Sequence, residues 1–367
     1  MKTYRIGFLM YQNLGHITYD QAMRAEVAKH PEIQPTWMPI PTWKEDQWQR
    51  FPIIRSNQTL SNGLRARDLL KCQTGQFDAL FCHTQEAAVL LGNYMKDIPT
   101  ILSLDATSIN INSMAGAYGL KKKSRAFEYL KHFLIERSFQ KAAHLMPWSH
   151  WVEESLINDY HVPKRKITVN PPGLDLEHWS VSEDERDSSE HLSLRVLFVG
   201  GDFWRKGGET LIRSAASMQG KWIVDVVTNE SIPGAEGIAN FHVHRGLKAG
   251  TPELLALFRI ANIFVLPTLG DCFSLVIMEA MAMRLPVVTT RVGALSEILI
   301  DGETGLFIPP NSPEKLTEAI CELGKDPVRR RKMGNAGRRH AEQHFDGAKS
   351  YSKLIALIKS VADARPA

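Results

Sequence analysis

GDCFSLVIMEAMAMRLPVVTT, residues 270 to 290, decides how the rest of the chain is read. The preceding IFVLPT, residues 263 to 268, is a short apolar run of the kind that forms a buried parallel strand. Gly270, Asp271 and Cys272 then make a turn. From Ser274 onward Leu275, Met278, Ala282 and Leu285 recur at helical spacing, and Pro286 ends the helix before VVTT opens another strand. The unit is strand, loop, helix, strand, with the carboxylates of Asp271 and Glu279 bracketing a helix N-terminus. The free amides of such a terminus carry about half a positive charge and favour phosphate. A carboxylate before the helix and another along it can accept hydrogen bonds from hydroxyls. Together these groups suit a sugar nucleotide; the plainer alternative is an ordinary β-α-β unit with two surface acids.

The pattern continues through VGALSEILIDGETGLFIPP, residues 292 to 310. An acid, seven residues, a glutamate, then A-M-A and P-V-V resembles the donor-site signature of retaining GT-B glycosyltransferases of family 4 (glycosyl transferases group 1). Two positions depart from it. Asp271 stands where the family usually has Glu, shortening the carboxylate by a methylene, and Ser274 stands where Gly follows the Phe. The resemblance covers the linker region and most of the C-terminal half, and is looser over the first 110 residues. It implies two Rossmann-like α/β/α domains facing across a deep cleft. Residues 1–172 with the terminal helix 348–367 would bind the acceptor, and 173–347 the nucleotide-sugar donor.

LRVLFVGGDFWRKGGETLIRSA, residues 194 to 215, opens the second domain as strand, loop and helix. It has neither the Gly-Lys-Ser/Thr ending of a Walker loop nor a clean G-x-G-x-x-G, which argues against a nicotinamide dehydrogenase. Family members usually carry Gly-Arg and then Lys-Gly here. Lys206 and Gly207 match, Gly201 holds the Arg position, and Arg205 is the alternative source of that charge. The resemblance thus implies that Arg205, Lys206 and the amides of Ser274, Leu275 and Val276 stabilise the leaving diphosphate, with Gly201 and Phe273 in the same donor site. Glu279 would hold the ribose and Asp271 the donor sugar's hydroxyls. With fixed cations in that role, no essential metal or other cofactor is expected. Asp175-Leu176-Glu177 is the nearest approach to a D-x-D motif, and it lies in the linker.

In the first half, YRIGFLM (4–10) reads as a strand, followed by a loop with Gly15 and His16 and a helix capped by Thr18 or Asp20. A loop after the first strand of an open α/β sheet is where ligands bind, so Gly15 and His16 are candidates for contact with donor or acceptor; a solvated loop histidine is the alternative. Trp37, Trp43 and Trp48 fall in a proline-rich stretch read as irregular and packed under a loop, or as lining an acceptor groove. Asp105 ends the strand PTILSLD and is the candidate for orienting an acceptor hydroxyl; Leu104 replaces the histidine that related enzymes often place beside it. Residues 121–143 read as a basic helix whose apolar stripe, Phe127, Leu130, Leu134 and Ile135, serves the core, with Lys121 to Lys123 among its cations. Ser149 is a natural N-cap, as is Thr251 further on. Pro171-Pro172-Gly173 and the acidic run SEDERDSSE (182–190) mark the linker.

With 367 residues, the chain fits two domains. At 44% hydrophobic and 23% charged residues it is an ordinary globular composition, and a net charge of +4 is too small to argue for nucleic acid. Cys72, Cys82, Cys272 and Cys321 show no metal-ligand spacing and are expected as free thiols in a cytoplasmic protein. No apolar run reaches the length of a membrane span; the basic 121–143 helix allows peripheral contact with the inner membrane face. The expected reaction is transfer of a sugar, with retention, to a glycan, lipid-linked or small-molecule hydroxyl. A non-catalytic sugar-nucleotide-binding protein and a sugar-nucleotide epimerase on the same fold are the alternatives.

Overall fold

The structure, a computed structural model, describes residues 2–41, 47–55, 57–73, 77–120, 124–188 and 193–364. Trp43 and Lys121 to Lys123 lie outside them. The chain divides into two compact units. The first comprises the described parts of Met1–Ser113, Lys121–Pro172 and Ala348–Ala367, the second Met114–Leu120 and Gly173–Gly347. Segment 114–120, read from the sequence as part of the first domain, therefore packs with the second.

The first unit carries a parallel sheet of β1 (Tyr4–Gln12), β2 (Ile33–Pro41), β3 (Ala79–His83), β4 (Thr100–Leu104) and β5 (His144–Pro147), in the order β2-β1-β3-β4-β5. β3 and β4 are buried along their whole length, because helices cover both faces of a parallel sheet. Trp37 lies on β2, where it stacks on Phe8 with centroids 4.3 Å apart and carries the Arg24 guanidinium on its ring at 4.3 Å. Trp48 donates its indole N–H to Asp68 at 2.9 Å. The stretch around Trp37 is thus a regular strand rather than an irregular loop.

Two helix readings are corrected. The helix after β1 runs Leu14–Val27 with Asn13 at its N-cap, so Gly15 and His16 sit in its first turn, and Thr18 and Asp20 lie inside it rather than capping it. Asp20 instead accepts from Gln12 and Arg24. In the helix Arg125–Lys141 the core face is Ile135 and Phe139; Leu130 is 55% exposed and Tyr129 75% exposed. Of the stripe read from the sequence, Ile135 is buried in the core and Leu134 packs against it, whereas Leu130 faces outward.

The second unit holds β6 (Arg195–Val199), β7 (Ile223–Val227), β8 (Phe241–His244), β9 (Ile263–Leu266), β10 (Val287–Thr290) and β11 (Gly305–Ile308). All pair in parallel, in the order β11-β10-β9-β6-β7-β8. Each sheet has one place where strand order reverses: between β1 and β3 in the first unit, between β6 and β9 in the second. In doubly wound sheets ligands bind beyond the carboxyl ends of the strands at that reversal.

The acidic run read as linker is instead the helix Glu183–Ser188, fastened to this unit. Its Arg186, 8% exposed, donates to the carbonyls of Phe258, Arg259, Ala261 and Met283, the open ends of two helices. Arg338 does the same for Ala282, Trp179 and Leu176. A guanidinium with five fixed N–H donors suits carbonyls that helix geometry leaves without partners.

Candidate functional site

The second unit's reversal point is built by two loops. The loop after β6 runs Gly200–Gly207, and the loop after β9 runs from Pro267 to Ser274, the N-cap of the helix Leu275–Ala282. Arg205 and Lys206 come from the first and Asp271 from the second, so the sheet order brings together residues 65 positions apart. Gly207 lies at φ +88°, and a Cβ there would come within 1.9 Å of the Pro267 carbonyl oxygen. Only glycine lets the two loops approach this closely. Thr268 ties them further: its hydroxyl lies 3.2 Å from the Arg205 and Gly270 carbonyls and accepts from the Gly270 N–H at 3.3 Å. The loop after β10 supports the assembly from below. Gly293, at φ +54°, passes so near Asp271 that a Cβ would fall 1.9 Å from its carbonyl oxygen.

Both cations are held. Lys206 is ion-paired with Asp271. Arg205 donates from Nε to Asp202 at 2.6 Å and from Nη1 to the Gly270 carbonyl at 2.6 Å, with its guanidinium 4.7 Å from the centre of the Tyr118 ring. The Tyr118 hydroxyl lies 3.4 Å from Cys272 Sγ. Burial, then the neighbouring Cys272 and Asp271, pushes the Tyr118 phenol up. Asp271, read from the sequence as a carboxylate for sugar hydroxyls, is in this structure the counter-ion of Lys206.

At the helix itself Ser274 occupies the N-cap, but its Oγ is buried and, among the described residues, has no hydrogen-bond partner. Glu279 is 4% exposed, and among the described residues its carboxylate has no hydrogen-bond partner. Burial alone pushes it up to about 8. A buried hydroxyl and a buried carboxyl without partners are costly unless something else satisfies them, and both stand on the helix whose first amides Leu275 and Val276 begin. Phe273 is buried with its ring edge-on to Phe345, and Gly201 is exposed. Among the described residues, no three His, Cys, Asp or Glu side chains group as metal ligands.

The first unit's reversal point gathers a different set. His16, in the first turn after β1, places Nδ1 2.8 Å from Nε2 of His83, the last residue of β3. Its Nε2 lies 3.8 Å from Asp105, which follows β4. His83 is fully buried, stacked on Trp148 at 5.2 Å and tilted against Tyr19 at 4.6 Å. Burial first, then His16, holds its imidazole well below the usual range. Sequence reasoning singled out His16 and Asp105 but not His83, Tyr118 or Asp202. His83 was findable, since it ends a strand next to the reversal point. Tyr118 was not, because nothing local marks segment 114–120 as part of the second unit.

Two family models match the chain: glycosyltransferase family 4 over residues 42–178, and glycosyl transferases group 1 over residues 193–326. A D-inositol 3-phosphate glycosyltransferase of Paenarthrobacter aurescens (strain TC1) is 29% identical over 288 residues, 73% of this chain and 69% of that protein. Against several other curated relatives the match spans about half their length. Among solved structures, sucrose-phosphate synthase from Thermosynechococcus elongatus superposes with a TM-score of 0.76 at 18% identity, covering 98% of this chain and 100% of that one. Anabaena HepE in complex with UDP-glucose gives 0.70 at 14% identity, covering 97% and 100%. These likenesses establish the fold as GT-B. No helix among the described residues is long and apolar enough to cross a membrane.

Proposed function

This chain belongs to the family 4 glycosyltransferases, and we propose that it moves a glycosyl group from a nucleoside-diphosphate sugar to an acceptor hydroxyl with retention of anomeric configuration. The observation that carries the reading is the meeting of Arg205, Lys206 and the N-terminus of the helix Leu275–Ala282 at one reversal point. As the bond from the sugar carbon to the diphosphate oxygen breaks, negative charge grows on the diphosphate. Lys206, Arg205 and the amides of Ser274, Leu275 and Val276 are fixed donors for it, and groups already in place need no reorganisation as the charge develops. The incoming diphosphate competes with Asp271 for Lys206 and frees that carboxylate for the donor sugar's hydroxyls. Glu279, buried and without a partner, receives hydroxyls of the ribose.

Two cations and a helix terminus supply the charge stabilisation that a divalent metal supplies elsewhere, so activity is expected to be metal-independent. The relative's name makes D-inositol 3-phosphate the first acceptor to try. HepE's complex makes UDP-glucose the first donor. Proton NMR of a reaction with UDP-, GDP- and ADP-sugars, with and without EDTA, tests the reading. The expected result is one donor consumed equally with chelator and a product of the same anomeric configuration. Inverted product, or loss of turnover with EDTA, contradicts it.

A further inference from the structure

The helix Arg125–Lys141 is apolar on two opposite sides. Ile135 and Phe139 are buried in the core of the first unit. Tyr129, Leu130 and Phe133 lie about half a turn away around the axis, and are 75%, 55% and 47% exposed. With the exposed Ala126 they recur at i, i+3, i+4 and i+7, the spacing that lays side chains along one face. A surface helix that serves a single core turns polar residues outward. Scattered exposed apolar residues are ordinary, but three large ones within about one turn make a patch. Leu130 extends that patch inward, since it also lines a shallow cleft with Leu60, Val89 and Leu134.

Cations bound the patch. Arg125 stands at its N-terminal end, and Arg137 continues its line toward the C-terminus; both are exposed. Just beyond, Lys141 donates to the Gly92 carbonyl at 2.7 Å, and Lys166 to the Gln140 and Ala142 carbonyls at 2.8 and 3.0 Å. Burial, then the neighbouring Arg137 and Lys96, lowers Lys141, so like charges are gathered at this end. Among the described residues no carboxylate forms an ion pair with Arg125, Lys131, Arg137 or Lys141.

We infer that the outer face of the helix Arg125–Lys141 docks on an anionic lipid bilayer, with Tyr129, Leu130 and Phe133 entering the headgroup boundary and Arg125 and Arg137 against the headgroup phosphates. Apolar side chains and unpaired cations on one helix face contribute the two terms of interfacial binding, buried apolar area and attraction to anionic lipid. Tyr129 can sink its ring while its hydroxyl stays at the water boundary. A second copy of the chain fits the face less well. The patch centres on residue 131, so an antiparallel two-fold pairing sets Arg125 against Arg137, and a parallel one sets each against its own image. Docking of this kind does not depend on the transfer reaction.

The test mixes the full chain with vesicles of phosphatidylcholine alone, or with about one part in three phosphatidylglycerol, and measures co-sedimentation as salt is raised. Binding to the anionic vesicles should be at least about tenfold tighter than to phosphatidylcholine alone, and should weaken with salt. The double variant Tyr129→Ser, Phe133→Ser should weaken it at least about tenfold. The double variant Arg125→Glu, Arg137→Glu should erase the preference for anionic vesicles. All these positions are exposed, so the circular dichroism spectra should match wild type. Tyr129→Trp gives a second readout: brominated acyl chains should quench the emission that it adds to the wild-type signal. No binding, equal binding to both kinds of vesicle, or binding untouched by the serine pair overturns the inference. So does added emission that brominated lipid leaves unquenched. Light scattering that shows a lipid-free dimer, dissolved by the serine pair, gives the face to a second copy and overturns it as well.

Discussion

Glu279 is the residue whose environment makes the sharpest prediction. Its carboxyl, pushed from 4.5 up to about 8 by burial, keeps its proton in the folded chain over a range where the unfolded chain has released it. The unfolded state therefore binds fewer protons between these values, and stability falls as pH rises from about 4.5 to about 8. Glu279→Gln removes the titrating group while keeping the shape. Its melting temperature relative to wild type should be higher at pH 8 than at pH 5, as scanning calorimetry would record; a difference independent of pH contradicts the assignment. Lys206→Ala removes one fixed donor and should lower donor turnover by about a hundred- to a thousand-fold, with the circular dichroism spectrum unchanged. Glu279 and Lys206 could be named as candidates because they stand at fixed places in a motif. That Asp271 pairs with Lys206 was not, since it depends on two loops 65 residues apart being brought together by strand order. His83 could have been singled out as the end of a strand beside the reversal point, but its contact with His16, which comes from another strand's end, could not.

Elements were legible where a single period decides them. Each of β6, β9 and β10 is a short apolar run, and the helix Leu275–Ala282 starts one residue after the Ser274 expected to begin it. Reading failed where tertiary contacts override local composition. The run SEDERDSSE looks solvated, yet it turns Arg186 inward onto helix carbonyls. Arg186→Leu should cost about 2–4 kcal/mol, because several buried carbonyls lose their donor at once. Urea denaturation would measure it; a loss under about 0.5 kcal/mol would return the segment to the status of linker. The loops around the donor site make a second claim at this scale. Gly293→Ala sets a methyl against the Asp271 carbonyl in a left-handed conformation, which alone costs about 1–2 kcal/mol. The denaturation midpoint should fall, and nucleotide affinity with it, because relief of the clash moves Asp271. Wild-type affinity in a destabilised Gly293→Ala protein would show that the loop after β10 supports stability but not the site.

At the scale of the whole chain, two parallel sheets each place their chemistry at the one point where strand order reverses. The first gathers His16, His83 and Asp105, the second Arg205, Lys206, Asp271 and the Glu279 helix. Length, alternating strands and helices, and the 270–310 motif were enough to read two α/β domains and the family. They were not enough to place segment 114–120 in the second unit, because its assignment rests on Tyr118 under Arg205 and Ala117 against Gly270, contacts no local pattern encodes. We propose that the second unit's reversal point is a nucleoside-diphosphate site. Isothermal titration of the wild-type chain and of Lys206→Ala with UDP, GDP and ADP tests it most directly. Saturable one-to-one binding of at least one of the three by wild type is expected, weakened at least about tenfold in Lys206→Ala. No binding of any of them, or equal binding by the variant, would contradict it.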